Sequence, residues 1–192
     1  MFVDDLLRFL HVLAVVFMAI PLFNLIVVNE RVLFGKAPLA VDLYFENIIR
    51  GGAKRCYVFQ LTVLVSGLLL IGLNSPWSVL FTNWILLVKL ILLLILTGLL
   101  SIVHVSLQPR IDGLLGQVGG DAIPTDIAAK IGPLRLRRKR LAAICLFIVI
   151  TTILLGLQVS ARFHPVLTVI LIVLAALFSW RVYSSRIPYG WL

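Results

Sequence analysis

Five apolar runs, each about as long as a bilayer's hydrocarbon core is thick, decide how this chain can fold. They are Leu6–Val28, Cys56–Leu73, about Leu80–Val105, Leu141–Val159 and Val166–Val182. Crossing a core of ~30 Å takes roughly 20 helical residues. Within hydrocarbon every backbone N–H and C=O must find its partner inside the protein, which makes helices the default for continuous apolar runs. The expectation is therefore all-α: one integral membrane bundle of five transmembrane helices, joined through longer connections at 29–55 and 106–140. The first run is too long, and too poor in positive charge ahead of it, for a signal peptide. Only His11, Pro21 and Asn24 interrupt it. In the second run Ser66, Gly67 and Gly72 permit close helix contact. Of 192 residues, 61% are hydrophobic and 13% charged, against about 45–50% and about 25% in soluble domains. That length and composition suit one membrane domain with no second soluble one.

A net charge of +9 invites a nucleic-acid reading, but the charges sit between the apolar runs and not along one surface. Segment 29–55 holds five Lys and Arg residues, segment 106–140 holds seven, and Arg181 and Arg186 follow the last run. With five spans these fourteen share one side, and only Arg8 and Arg162 fall on the other. The positive-inside rule then puts the N-terminus outside and the C-terminus in the cytoplasm of a bacterial-type inner membrane. Membrane lipid and other membrane subunits are the expected partners, and nucleic acid is not. Cys56 and Cys145 form neither a disulfide framework nor a metal motif and read as small core residues. Trp77 and Trp84 at one level, with Trp180, Tyr183, Tyr189 and Trp191 at the other, read as interfacial belts.

Two connections are longer than a turn. Leu39–Arg50 mixes apolar residues with Asp42 and Glu46, as an amphipathic helix lying in the interface would. Segment 106–134 is rich in Gly and Pro and reads as an irregular loop. It leads into Arg135–Arg140, RLRRKR, whose expected role is that of a topology anchor; any two of its six residues should then be replaceable.

Motifs of soluble enzymes are missing: no Walker loop, no GxSxG, no HExxH. All eight acids lie outside the apolar runs. The ionisable groups within or at the ends of the spans are His11, Lys89 and His104. Such groups are costly in lipid, and each begins as a site hypothesis. The first and third runs cross in the same direction. His11 and Lys89 both fall roughly 8–9 Å below the outer boundary, at 1.5 Å per residue. If those helices adjoin, the two groups can share one site. An imidazole and a neutral amine are both nitrogen donors for haem iron. The competing readings are snorkelling of Lys89 to the interface and an interhelical hydrogen bond from His11, for instance to Gln158. His104 lies ~22 Å deeper, where the helix is expected to end, and reads as an ordinary polar residue. His164 reads as a surface residue.

The order of these features resembles a known superfamily. RFLHVLAVV (Arg8–Val16) carries the early histidine, LTVLVSGLLLIGL (Leu61–Leu73) the Ser-Gly step, and NWILLVKLILLLI (Asn83–Ile95) places Trp84 five residues before Lys89. This resembles the HemJ-type protoporphyrinogen oxidases and CopD-like membrane proteins over roughly residues 5–160. The resemblance implies haem b, with His11 and Lys89 as the functional pair holding its iron. The chain has VVFMAIPLF (Val15–Phe23) where the HemJ pattern has Trp and Gly, and His104 stands fifteen residues beyond Lys89. It looks closer to the CopD-like and uncharacterised branch. A copper path is not evident, because Met1 and Met18 are the only methionines.

The expected function is a haem b-binding membrane protein, an electron-transfer or accessory subunit of a membrane complex. One alternative is a HemJ-like protoporphyrinogen IX oxidase; another is a cofactor-free subunit that packs against larger partners. Whether the chain is an enzyme stays open at this level.

Overall fold

A computed structural model describes residues 2–31, 38–161 and 163–184. Lys36, Arg162, Arg186, Tyr189 and Trp191, used above for orientation and belts, lie outside the described residues. The helices are α1 (Phe2–Arg31), α2 (Leu39–Asn74), α3 (Val79–Thr82), α4 (Trp84–Ser101), α5 (Gln108–Leu115), α6 (Thr125–Ser160) and α7 (Pro165–Ser184). A π-helical segment, Ile102–Leu107, joins α4 to α5. Five continuous helical stretches are long and apolar enough to cross a membrane, which makes this a multi-pass architecture.

Side-chain pairings give the register of α1 against α2. Asn74 Nδ2 donates to Asp4 Oδ1 at 2.6 Å. Phe17 stacks on Phe59 with ring centroids 5.7 Å apart, and Gly52 meets Pro21. As one index rises the other falls, as it must for antiparallel neighbours. α4 runs back along α2 in the same way, through Thr97 Oγ1 donating to Gln60 Oε1 at 3.0 Å and the 2.9 Å Tyr57–Ser101 hydroxyl pair. α6 packs against both α1 and α4, which closes a four-helix ring α1–α2–α4–α6. α7 packs on the outside of α6. Met18, Val63, Leu96 and Val149, one from each ring helix, meet in the core. Cys56 and Cys145 are free thiols in that same core. The first and third spans, α1 and α4, are therefore not adjoining but diagonal. Each touches α2 and α6, and they face one another across the bundle axis.

Three local signals shape the helices. Asn83 accepts from the Ile85 backbone N–H at 3.0 Å, so the third span starts at Trp84 behind an N-cap. α2 and α6 each follow a proline, Pro38 and Pro124, with Asp42 and Asp126 in their first turns, where a carboxylate suits the helix dipole. Pro109 cannot donate a backbone bond, and its ring would strike the preceding turn. The backbone answers by widening: Gln108 N–H reaches the Val103 carbonyl, five residues back. The helix expected to end near His104 continues through this bulge to Leu115.

Helix thus extends into both connections, 29–55 and 106–140. Residues 39–55 are the first half of α2, and 125–140 the first half of α6. At 1.5 Å per residue a 36-residue helix is ~54 Å long, well beyond ~30 Å of hydrocarbon. Both helices must project from the apolar slab at the same end, called here the basic end. There Ile111, Leu115, Ile123, Ile127 and Ile131 form a separate small core against Leu39. The Gly- and Pro-rich segment is irregular only between Gly116 and Pro124.

Candidate functional site

His11 leans from α1 onto the Ser-Gly step of α2. Its Nδ1 lies 3.0 Å from Ser66 Oγ. A Cβ at position 67 would come within 3.1 Å of His11 Cε1, so glycine is what lets the ring lie against the helix. Ser66 Oγ also meets the Thr62 carbonyl at 2.5 Å. A hydroxyl that donates there accepts from His11 Nδ1, the arrangement that would leave the ring's lone pair on Nε2. The interhelical bond sought for His11 exists, but its partner is Ser66; Gln158 donates to Thr168 on α7 at 2.9 Å instead.

Lys89 extends from α4 toward α6. Its Nζ lies 3.5 Å from where a Cβ on Gly156 would be. The side chain is partly buried and, among the described residues, has no hydrogen-bonded or ion-paired partner. The amine therefore lies against the adjoining helix α6 at Gly156. His11 and Lys89 lie within electrostatic reach of each other across the ring. Gly67 and Gly156 stand on the two flanking helices, so both walls beside the pair lack side chains at these positions. No group of three or more His, Cys, Asp or Glu able to hold a metal ion occurs among the described residues. The nitrogen pair is the ligand set to weigh.

The other histidines separate from this site. His104 is in the π-helical segment, its ring edge-on to Tyr57 at 6.0 Å, with Nδ1 buried and unbonded. His164 is exposed and caps α7, its ring accepting from Val166 N–H at 3.3 Å. Trp77, Trp84 and Trp180 are largely exposed near span ends, as belt residues are. Tyr183 instead packs inward beneath the Lys89-distant half of α6, with Lys139 Nζ 5.6 Å from its ring centroid.

A second polar cluster, at the basic end, was not anticipated. Arg135 and Arg138 of α6 are 5% and 0% exposed, and Asp42 and Glu46 of α2 are 0% and 1% exposed. Arg138 Nη1 meets Glu46 Oε2 at 2.5 Å and Gln108 Oε1 at 2.6 Å. Arg135 bridges Glu46 Oε1 and Asp42 Oδ2, each at 3.0 Å. Gln108 Nε2 donates to Glu46 Oε2 at 2.8 Å. Two cations and two anions cancel, and the planar guanidinium forks satisfy several acceptors at once. This corrects two expectations. Residues 39–50 do not lie in the interface, because their acids face α6. The run Arg135–Arg140 is not a uniform anchor, because two of its residues are buried in this cluster. The readable signal was spacing: acids four apart on α2 and arginines three apart on α6 each share one helix face.

Comparison with known proteins returned no match, whether against protein-family models, curated proteins or solved structures.

Proposed function

We propose that this chain is a haem b-binding subunit of a bacterial-type inner membrane, with its N-terminus outside and an electron-transfer or accessory role in a membrane complex. His11 is the principal iron ligand, and Lys89 the group facing it from the opposite side of the ring. The observation that carries this reading is the 3.0 Å contact of His11 Nδ1 with Ser66 Oγ. A ligating histidine commonly donates its other N–H to a fixed acceptor, which sets its tautomer and orientation. Here Ser66 is that acceptor, held by its own bond to Thr62. His11 and Lys89 would hold the haem iron through their side-chain nitrogens. Gly67 and Gly156 let the His11 ring and the Lys89 amine lie close against the two flanking helices.

When bound, haem supplies a one-electron couple; the residues supply position and exclude water. Met18 and Leu96, each 1% exposed, lie in the packed core on the basic side of the pair. A hydrophobic surround of this kind sets the dielectric of a site, and with it the redox potential. The resemblance to HemJ-type oxidases is compatible with this arrangement.

An absorption spectrum of the purified chain, oxidised and then reduced, tests the proposal. The expected result is a Soret band that shifts on reduction and disappears in His11→Ala. A protein purified with added haemin that shows no Soret band, or one that His11→Ala leaves unchanged, overturns it.

A further inference from the structure

A groove of about 580 Å³ opens between α1 and α2 at the basic end, within the range of small-ligand sites. Its shape has a sequence cause. Pro21 lies inside α1, and Gly51 and Gly52 leave α2 without side chains where the two helices pass. Gly52 fits against Pro21, whereas a Cβ on Gly51 would meet nothing within 4 Å. The inner part of the groove is apolar, floored by the stacked pair Phe17 and Phe59 with Ile20 beside them. Polar groups join it along its length: Arg55 at about the level of Ile20, and Asn24 and Asn47 nearer the basic end.

The Arg55 guanidinium stands at the edge of the apolar run of α2. Arg55 immediately precedes the apolar run of α2, and Asn24 is an exposed amide within the apolar run of α1. Arg55 is exposed and, among the described residues, has no acidic partner. Nearby Arg50 already pairs with Asp112 at 2.7 Å, and Glu46 faces the buried cluster on another side of α2. A guanidinium and two amides in one groove, with an aromatic pair one helical turn from the guanidinium, match one occupant chemistry: a phosphate headgroup attached to hydrocarbon.

We infer that this groove holds one acidic phospholipid, its phosphate on Arg55 and Asn24 and its chains along Phe17 and Phe59. The inference does not depend on the haem reading, since the groove and the His11–Lys89 pair share no residue. A bound lipid here covers the helix surface left without a side chain at Gly51.

Native mass spectrometry of the full chain in detergent tests it, with phosphatidylglycerol and phosphatidylcholine of matched acyl chains. Wild type should show a one-lipid adduct favouring phosphatidylglycerol by about fivefold, the ratio for the ~1 kcal/mol of one arginine near an anionic headgroup. Arg55→Gln should bring the two lipids level. Gly51→Leu places a side chain in the groove without a clash and improves helix propensity, so it should abolish the adduct while the protein stays folded. Equal binding of both lipids by wild type, or an adduct unchanged in Gly51→Leu, overturns the inference. Full displacement of the lipid by glycerol 3-phosphate also overturns it, since the site would then be one for a soluble phosphate.

Discussion

Ser66 determines what His11 can offer. With its proton given to the Thr62 carbonyl, Ser66 would accept from His11 Nδ1 and leave Nε2 as the free base. Ser66→Ala removes the acceptor but leaves the Gly67 seat intact. If His11 ligates haem, this change should lower haem retention by roughly 10–100-fold in affinity, the range for outer-shell partners of a metal ligand. It should also shift the midpoint potential of whatever haem remains. Haem-to-protein ratio and a redox titration read both effects; a variant equal to wild type in both would separate Ser66 from the ligand. A different residue contrast tests the basic end. Arg138 is fully buried on Glu46 and Gln108, while its neighbour Arg137 is exposed. Removing one partner of a buried pair leaves an uncompensated charge and costs about 3–5 kcal/mol. Arg138→Gln should therefore lower the unfolding temperature in detergent substantially, and Arg137→Gln should stay within about 0.5 kcal/mol of wild type. Replacing Arg138 and Glu46 together by Met and Leu should cost less than Arg138→Gln alone. Equal effects at 137 and 138 would return the run to its role as a uniform anchor.

The elements show where reading the sequence succeeded and where it stopped. Five spans were legible because each apolar run is continuous and charge-free enough for lipid, apart from Lys89. The extensions of α2 and α6 were not, because their sequences mix charge with Ile and Leu. A hydropathy window reports such segments as loops, although each continues its neighbouring helix without a break. The same blindness hid the Asp42–Arg135–Glu46–Arg138 cluster. A basic run after a span is what the positive-inside rule requires, so burial of two of its members leaves no mark on composition. Half of the candidate site was legible in the same sense. His11 and Lys89 stood out as polar groups in apolar helices, and equal depth placed them at one level. Their diagonal arrangement depends on which helices neighbour one another, which no single run encodes. The π-helical bulge was legible only in its cause, Pro109, and not in its outcome, since a proline ends many helices outright. Pro109→Ala tests that cause. With the amide restored, the segment Ile102–Leu107 can return to α-helical bonding, which rotates Gln108 away from Arg138 and Glu46. The expected outcome is a loss of thermal stability despite the better helix former. A gain would show that the bulge is set by the surrounding packing.

At the scale of the whole molecule, the ring has a strongly basic end and an opposite end with few charges, and this asymmetry carries the proposed orientation. Antiparallel pairing puts the turn after α2 at the opposite end from the loop between α5 and α6, whichever way the protein sits. Ser78 and Gly119 are exposed in those two places. The chain itself makes the labelling experiment clean, because Cys56 and Cys145 are free but buried in the core at 1% and 4% exposure. A membrane-impermeant maleimide should leave both untouched. In right-side-out vesicles Ser78→Cys should therefore label at once, while Gly119→Cys should label only after permeabilisation. Twelve of the loop Lys and Arg residues lie in the two connections at the basic end, and charges so close to span ends resist translocation. Exchanging the order of labelling would invert the protein, and would move the His11–Lys89 level from the outer to the inner half of the membrane. Labelling of both sites from one side would mean that an odd number of spans does not separate the ends of the ring. That result would leave the helical bundle standing and remove the five-span reading on which the outside placement of the N-terminus rests.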